Sequence, residues 1–245
     1  MKNCITIGPG GALGLYMLGT MSFIKHNYNI DNFHIGGASA GAHVALYALS
    51  SNSDVYLYEN IVDPLLTRLN DRKNNDIGQE ILNVYNQDTL NVDYRRAFVS
   101  VSSVKLSLNP VSNIIMTDFN TLEDFTEAVM FSSFVPILFG QLGKLQDRTV
   151  YFDGAATDRN PILKGSVQTL HITPSMWGRT FDNSQMWNFN SKEALPLVKY
   201  GYMDALKNRH ILDKTLKRKN IISRSYNKVR ISSLLRKVKS VNKSL

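Results

Sequence analysis

Ser39 stands in a stretch made only of small residues, Gly36-Gly37-Ala38-Ser39-Ala40-Gly41-Ala42. A Gly-x-Ser-x-Gly turn between a strand and a helix lifts the serine Oγ clear of the backbone, and only small neighbours tolerate that geometry. The helix starting behind such a serine directs its positive end at any negative charge that develops there. The chemistry this suits is nucleophilic attack on an acyl carbon. Taken alone, the pattern is equally that of an ordinary tight βα turn, so it needs partners elsewhere in the chain.

A serine nucleophile needs a proton acceptor within hydrogen-bond reach. Asp153 opens Asp153-Gly154-Ala155, is followed by Asn160-Pro161, and closes the strand-like run Thr149 to Phe152. That position suits a carboxylate meant to meet a serine from a neighbouring strand, although Asp-Gly is also a common turn. The reaction further needs donors for an oxyanion. Gly10-Gly11-Ala12-Leu13-Gly14 is a second glycine-rich strand-to-helix turn, upstream of Ser39. It can present the N–H groups of Gly10, Gly11 and Ala12, and the N–H of Ala40, next to the serine, is a further candidate donor. Gly14, Gly37, Gly41 and Gly154 complete the three turns.

Two competing chemistries use some of the same residues. Glycine turns at helix starts also cradle phosphates. A dinucleotide site, however, asks for an acid about 20 residues on, after the second strand. Asp31 falls there by count but precedes that strand, and the Lys-Ser/Thr ending of a P-loop is absent. A histidine base is the second competitor, with His26, His34, His43, His171 and His210 available. A conventional α/β hydrolase places its histidine after the acid, which leaves His171 and His210 by order. His43 lies one helical turn past Ser39 and reads as a packing or supporting residue.

The elements that would position these groups follow from the hydrophobic pattern. Ile5 to Gly8 reads as a first strand, and Leu15, Leu18, Met21, Phe23 and Ile24 supply the apolar face of a helix. Phe33 to Gly37 reads as a second strand and Ala42 to Leu49 as an apolar helix. This β-turn-α-β-turn-α order requires parallel strands joined by helical crossovers. Residues 54–92 read as two helices broken at Asn74-Asn75-Asp76, suited to a cap over a pocket. Phe98 to Leu108 is a Ser-rich strand, and Thr121 with Asp124 three residues later marks a helix entry. Thr169 to Thr173 is another strand, and Leu195 to Lys207 a helix.

The three motifs in this order, with Ser133-Phe134-Val135-Pro136 shortly before Asp153, resemble the patatin-like phospholipases. The similarity runs from about Ile5 to about Leu206 and includes Tyr200-Gly201-Tyr202-Met203-Asp204-Ala205, which is similar to the family's closing helix. The resemblance implies a three-layer α/β/α sandwich with a mainly parallel central sheet. It also implies a Ser39–Asp153 dyad working without histidine, oxyanion donors around Gly10, Gly11 and Ala12, no metal or other cofactor, and a phospholipid or related acyl-ester substrate. Two positions depart from the family turn, Gly-Gly-Gly-x-Lys/Arg-Gly: Pro9 replaces its first glycine and Leu13 its basic residue. Proline has no N–H to donate, and one lost oxyanion donor costs on the order of 10²–10³ in rate.

The 245 residues, 43% hydrophobic and 10% aromatic, suit one α/β domain with a sizeable core rather than a disordered chain. The single cysteine, Cys4, excludes an internal disulfide and sits in a strand-like run as a packing residue. No h-region of a signal peptide is evident, and no apolar stretch approaches the roughly 20 residues of a spanning helix. The longest candidate, Ala128 to Phe139, is interrupted by Ser132, Ser133 and Pro136. The expectation is an intracellular protein, soluble or peripheral to a membrane. Of 28 Lys and Arg side chains, eleven fall in residues 214–245, which carry no acid, and the preceding body is slightly acidic. The chain therefore divides into a catalytic body, 1–210, and a basic tail, 211–245. The tail's Ile231, Leu234, Leu235, Val238, Val241 and Leu245 fall near one helical face, suited to an anionic membrane. Three function classes stay open at this point: a lipid acyl hydrolase, a catalytically weak domain that binds lipid or protein, and a nucleic-acid partner acting through the tail. Tyr226 alone interrupts the tail's basic run, which disfavours base stacking. Nothing in the sequence sets oligomeric state.

Overall fold

The computed structural model describes residues 2–70, 77–85, 89–105, 110–135 and 143–219. Strand β1 (Lys2–Ile7) is central: Cys4, Ile5, Thr6 and Ile7 are all fully buried. Only a strand covered on both faces reads this way. It pairs in parallel with β2 (Phe33–Ala38) on one edge and with β7 (Ser166–Ile172) on the other. Strand β2 pairs in parallel with β3 (Ala97–Lys105).

Beyond β3 the sheet changes character. Strands β4 (Ser112–Met116) and β6 (Thr149–Phe152) both run antiparallel to β3, and β5 (Lys144–Gln146) forms a hairpin with β6. Asp147 and Arg148 make that hairpin with φ of 46° and 60°, the doubly positive turn that matches strand twist. The complete order is β5-β6-β3-β2-β1-β7, with β4 also paired to β3. The sheet is therefore mixed, parallel around β1 and antiparallel beyond β3. The short β4 and β5 carry little apolar alternation, which is why the sequence did not signal them.

Helices cover the sheet in a three-layer α/β/α arrangement. Helix α1 (Gly14–Asn27) is buried on almost every side, because α7 (Ser191–Lys207) lies directly along it. A Cβ on Gly19 would overlap the Val198 carbonyl, and one on Gly201 would overlap the Tyr16 carbonyl. Two glycines thus let the two backbones touch. Helix α2 (Ala40–Leu49) packs on β1, β2 and β3, and α6 (Leu122–Ser132) packs on β3 behind a capping box of Thr121 and Asp124. Helix α3 (Asp54–Leu57), a π turn (Tyr58–Val62), α4 (Asp63–Asn70) and α5 (Ile77–Tyr85) form the cap region.

After α7 the chain forms α8 (Arg209–Leu212) and stays on the body as far as Lys219. Leu212 and Leu216 are buried in the core. The N–H of Lys219 donates to the Asn27 carbonyl, and the Lys219 ammonium donates to that of Lys25 at 2.8 Å. Arg218 pairs with Asp213, whose carboxylate also accepts from Tyr28. Arg218 and Lys219 thus dock at the end of α1. The remainder of the basic segment, 220–245, lies outside the described residues, as do Pro136 to Phe139 of the apolar run and Leu106 to Leu108 of the Ser-rich strand.

Candidate functional site

Ser39 ends β2 and caps α2 with φ 55° and ψ −128°. A non-glycine residue at positive φ is strained, and such strain persists only where the surroundings over-determine it. Here they do. The Ser39 N–H donates to Ser132 Oγ at 2.8 Å, and Ser132 Oγ donates onward to the Ser100 carbonyl at 2.7 Å. The Ser39 carbonyl accepts from Ser133 Oγ at 3.2 Å and from the Ala42 N–H at 2.9 Å. A Cβ on either Gly37 or Gly41 would overlap the Ile7 carbonyl. The small residues around Ser39 are therefore required by the closeness of β1.

Asp153 ends β6 and caps a 3-10 turn, Gly154–Ala156. Its Oδ1 accepts from the Ala155 N–H at 2.8 Å, and its Oδ2 accepts from Ser39 Oγ at 2.7 Å. Its backbone is held by Ser102 Oγ, which donates to the Asp153 carbonyl at 2.7 Å, and by the Phe134 carbonyl, which accepts its N–H at 3.1 Å. A Cβ on Gly154 would overlap the Ser100 carbonyl. Burial pushes the Asp153 carboxyl above the ordinary carboxylate range, and the hydrogen bonds from Ser39 and Ala155 only partly oppose it. The strands that deliver Ser39 and Asp153 are not paired with each other. Strand β3 lies between them, and its Ser100 and Ser102 anchor both turns.

Gly11–Leu13 forms a 3-10 turn opening onto α1, with Gly10 as its cap. Gly11 has φ 55°, and a Cβ there would overlap the Met186 carbonyl. The N–H groups at the start of a helical turn lack intrahelical acceptors. Gly10, Gly11, Ala12 and Ala40 all line the cavity that Ser39 and Asp153 line. Gly14 lets the two helix starts approach, since a Cβ there would lie 3.0 Å from the Ala40 Cβ. Leu13, which stands at the basic position of the family turn, is buried with Ala12, Leu66 and Phe189 in a small apolar cluster.

The cavity holds about 1120 Å³, slightly more than the roughly 300–1,000 Å³ of ordinary small-molecule sites. Its walls are mainly apolar and include Leu57, Ile61, Leu65, Leu69 and Ile81 of the cap region. The reading of 54–92 as a cap agrees with this. Ser39, only 7% exposed, is reached through this cavity. Among the described residues no cluster of three His, Cys, Asp or Glu side chains gathers as metal ligands would.

The histidines fall elsewhere. His43 lines the cavity and is hydrogen-bonded to the Tyr85 hydroxyl of α5, and burial lowers its pKa to about 4, leaving it neutral. It joins α2 to the cap. His26 pairs with Asp54 at 2.8 Å, and His34 lies on β2. His210 is exposed on α8 and does not line the cavity. His171 lines the cavity beside Gly8. Sequence reasoning passed over Ser100, Ser102 and Ser132, because serines in strands and helix ends carry no motif. It also passed over Arg179, which lines the cavity and donates to Asp204 at 2.6 and 3.1 Å, while Tyr16 donates to the same carboxylate at 2.9 Å.

The sequence model of patatin-like phospholipase matches residues 5–164, which contain all three turns. The chain belongs to the patatin-like phospholipase family. Among solved structures this patatin-like chain aligns with VipD from Legionella pneumophila at 12% identity and a TM-score of 0.45, over 89% of this chain and 68% of the other. No curated protein matches it. Among the described residues, no helix of this patatin-like body is long and apolar enough to cross a membrane.

Proposed function

We propose that this patatin-like protein is a lipid acyl hydrolase in which Ser39 attacks a carboxylic ester and Asp153 takes its proton. The observation that carries this reading is the 2.7 Å hydrogen bond between Ser39 Oγ and Asp153 Oδ2 in the floor of a large apolar cavity. A carboxylate raised above its ordinary pKa is a better proton acceptor than a free one. The tetrahedral oxyanion would be met by backbone N–H groups of Gly11, Ala12 and Ala40, with Gly10 beside them. Collapse then releases the alcohol with the proton held by Asp153, and water cleaves the acyl-enzyme by the same steps in reverse roles. An acyl chain suits the cavity, since each methylene moved out of water contributes about 0.8 kcal/mol.

Hydrolysis of a palmitoyl glycerophospholipid by wild type, Ser39→Ala and Asp153→Asn tests the dyad. Each variant is expected to lose at least roughly 10³-fold in rate, with circular dichroism and melting like a folded protein. Full activity in either variant would sink the assignment. Pro9, with no N–H to give, favours a second reading, a slow or silent domain that binds lipid. A fluorophosphonate probe separates the two, because labelling confined to Ser39 requires an activated serine. Peripheral contact with anionic lipid through basic residues in 214–245 accompanies the first reading. Flotation with anionic and with neutral vesicles tests it, duplex DNA serving as the competing ligand.

A further inference from the structure

Arg159 and His171 are among the polar groups that line the cavity outside the dyad. Arg159 is exposed, lines the cavity, and has no carboxylate partner among the described residues. His171 lines the same cavity, and its Nε2 is buried with no hydrogen-bond partner among the described residues. The Arg159 backbone passes the His171 ring beside the glycine turn. A Cβ placed on Gly8 would lie 3.3 Å from His171 Nε2 and 3.6 Å from the Arg159 carbonyl oxygen. Burial lowers the His171 pKa against the weaker opposing charge of Asp158, which favours the neutral ring with its one N–H. Asp158 itself accepts from the Asn160 N–H at 2.9 Å and does not line the cavity. Trp187, 42% exposed, lines the cavity as well and belongs to its mouth.

An uncompensated guanidinium at the rim of an apolar cavity is the natural partner of an anion. Its planar fork fits two phosphate oxygens better than an ammonium does. The other guanidinium in the cavity, Arg179, is already neutralised by Asp204. We propose that Arg159, assisted by His171, is the subsite for the phosphate of a glycerophospholipid whose acyl chain fills the cavity and whose ester lies at Ser39. This rests on the hydrolase reading above and narrows it to phosphate-bearing lipid. The subsite selects among substrates and leaves the chemistry at Ser39 unchanged.

The test compares two substrates with the same chain, 1-palmitoyl-glycerophosphocholine and 1-monopalmitoylglycerol, in neutral detergent micelles. Arg159→Gln should lower kcat/KM for the phospholipid by roughly 10- to 100-fold, the worth of one charge-assisted hydrogen bond. It should leave the neutral ester within about twofold, and Arg159→Lys should recover part of the loss. Equal losses on both substrates, or none on either, would overturn the subsite while leaving the hydrolase reading intact. Strong inhibition by inorganic phosphate in wild type but not in Arg159→Gln would instead assign the site to free phosphate. If wild type hydrolyses neither lipid, the hydrolase reading fails, and the subsite is then judged by binding. Tryptophan fluorescence of wild type should show tighter binding of the phospholipid than of the glyceride, and Arg159→Gln should erase that preference. A preference unchanged by the substitution would overturn the proposal.

Discussion

At the residue scale, Asp153 sits where its charged form is disfavoured, and this has consequences for rate and stability alike. Catalysis by the proposed dyad needs the ionised carboxylate, so kcat/KM should fall as pH drops through the raised pKa. The acid limb should therefore lie above the roughly 3.9 of a free aspartate. The stability sign is the opposite of that of an ordinary salt-bridged carboxylate. A folded pKa above the unfolded one favours the protonated form, so this contribution is fully present below the unfolded pKa and is lost as pH rises through the folded value. Asp153→Asn, which keeps an acceptor for Ala155 and a donor for Ser39, should melt at or above the wild-type temperature at pH 7 while losing activity. A clear drop in melting temperature would mean that the carboxylate is satisfied as an anion. Ser132 is the complementary case. Ser132→Ala leaves the Ser39 N–H buried without its acceptor, a cost of about 1–3 kcal/mol. A lower urea midpoint and a reduced rate are expected together, because the same bond holds the strained φ of Ser39.

At the scale of elements, the site depends on three backbones that meet with almost no side chain between them. Gly37 and Gly41 close onto β1 at Ile7, and Gly154 closes onto β3 at Ser100. Gly41→Ala should give insoluble protein or a large loss of stability, since its Cβ faces backbone that no rotamer change can relieve. Gly178→Ala is the control. A Cβ there meets nothing within 4 Å, although its φ of 74° carries some strain. It should remain soluble and lose only about 1 kcal/mol. Expression and thermal melting of the pair distinguish steric closure from a general intolerance of glycine replacement. The sequence pointed to the turns because glycine and alanine cluster there. It did not indicate that β3 separates the strands leading to Ser39 and Asp153, because pairing across a sheet is not a local property.

At the scale of the whole molecule, the cap is tied to the body by a buried polar clasp as well as by the core. Asp54 at the start of α3 accepts from Ser22 Oγ of α1 at 2.7 Å and pairs with His26 of α1. Burial raises the Asp54 pKa, but the hydrogen bonds from His26 and Tyr47 and the charge of Lys25 outweigh it and leave it near 2. A depressed folded pKa contributes stability that is present above about 4 and lost as pH falls from there toward about 2. Acid unfolding followed by circular dichroism should show that loss in wild type. Asp54→Asn should be less stable at pH 7 and show a shallower pH dependence across this window. An unchanged acid profile would show that the clasp does not hold the cap.

The local signals in the chain were enough to name the family, to mark Ser39, Asp153 and the Gly10–Gly14 turn, and to place the parallel half of the sheet. These are properties of short segments: small residues where backbones crowd, a capping box at Thr121, apolar runs with helical or strand period. Only the tertiary structure decided that Ser39 Oγ and Asp153 Oδ2 stand 2.7 Å apart across an intervening strand. It alone brought Ser100, Ser102 and Ser132 to support them, and it alone brought Arg159 and His171 to the lining of one apolar cavity. Long-range contacts depend on how the chain closes on itself, and isolated serines and arginines carry no periodic mark of their partners.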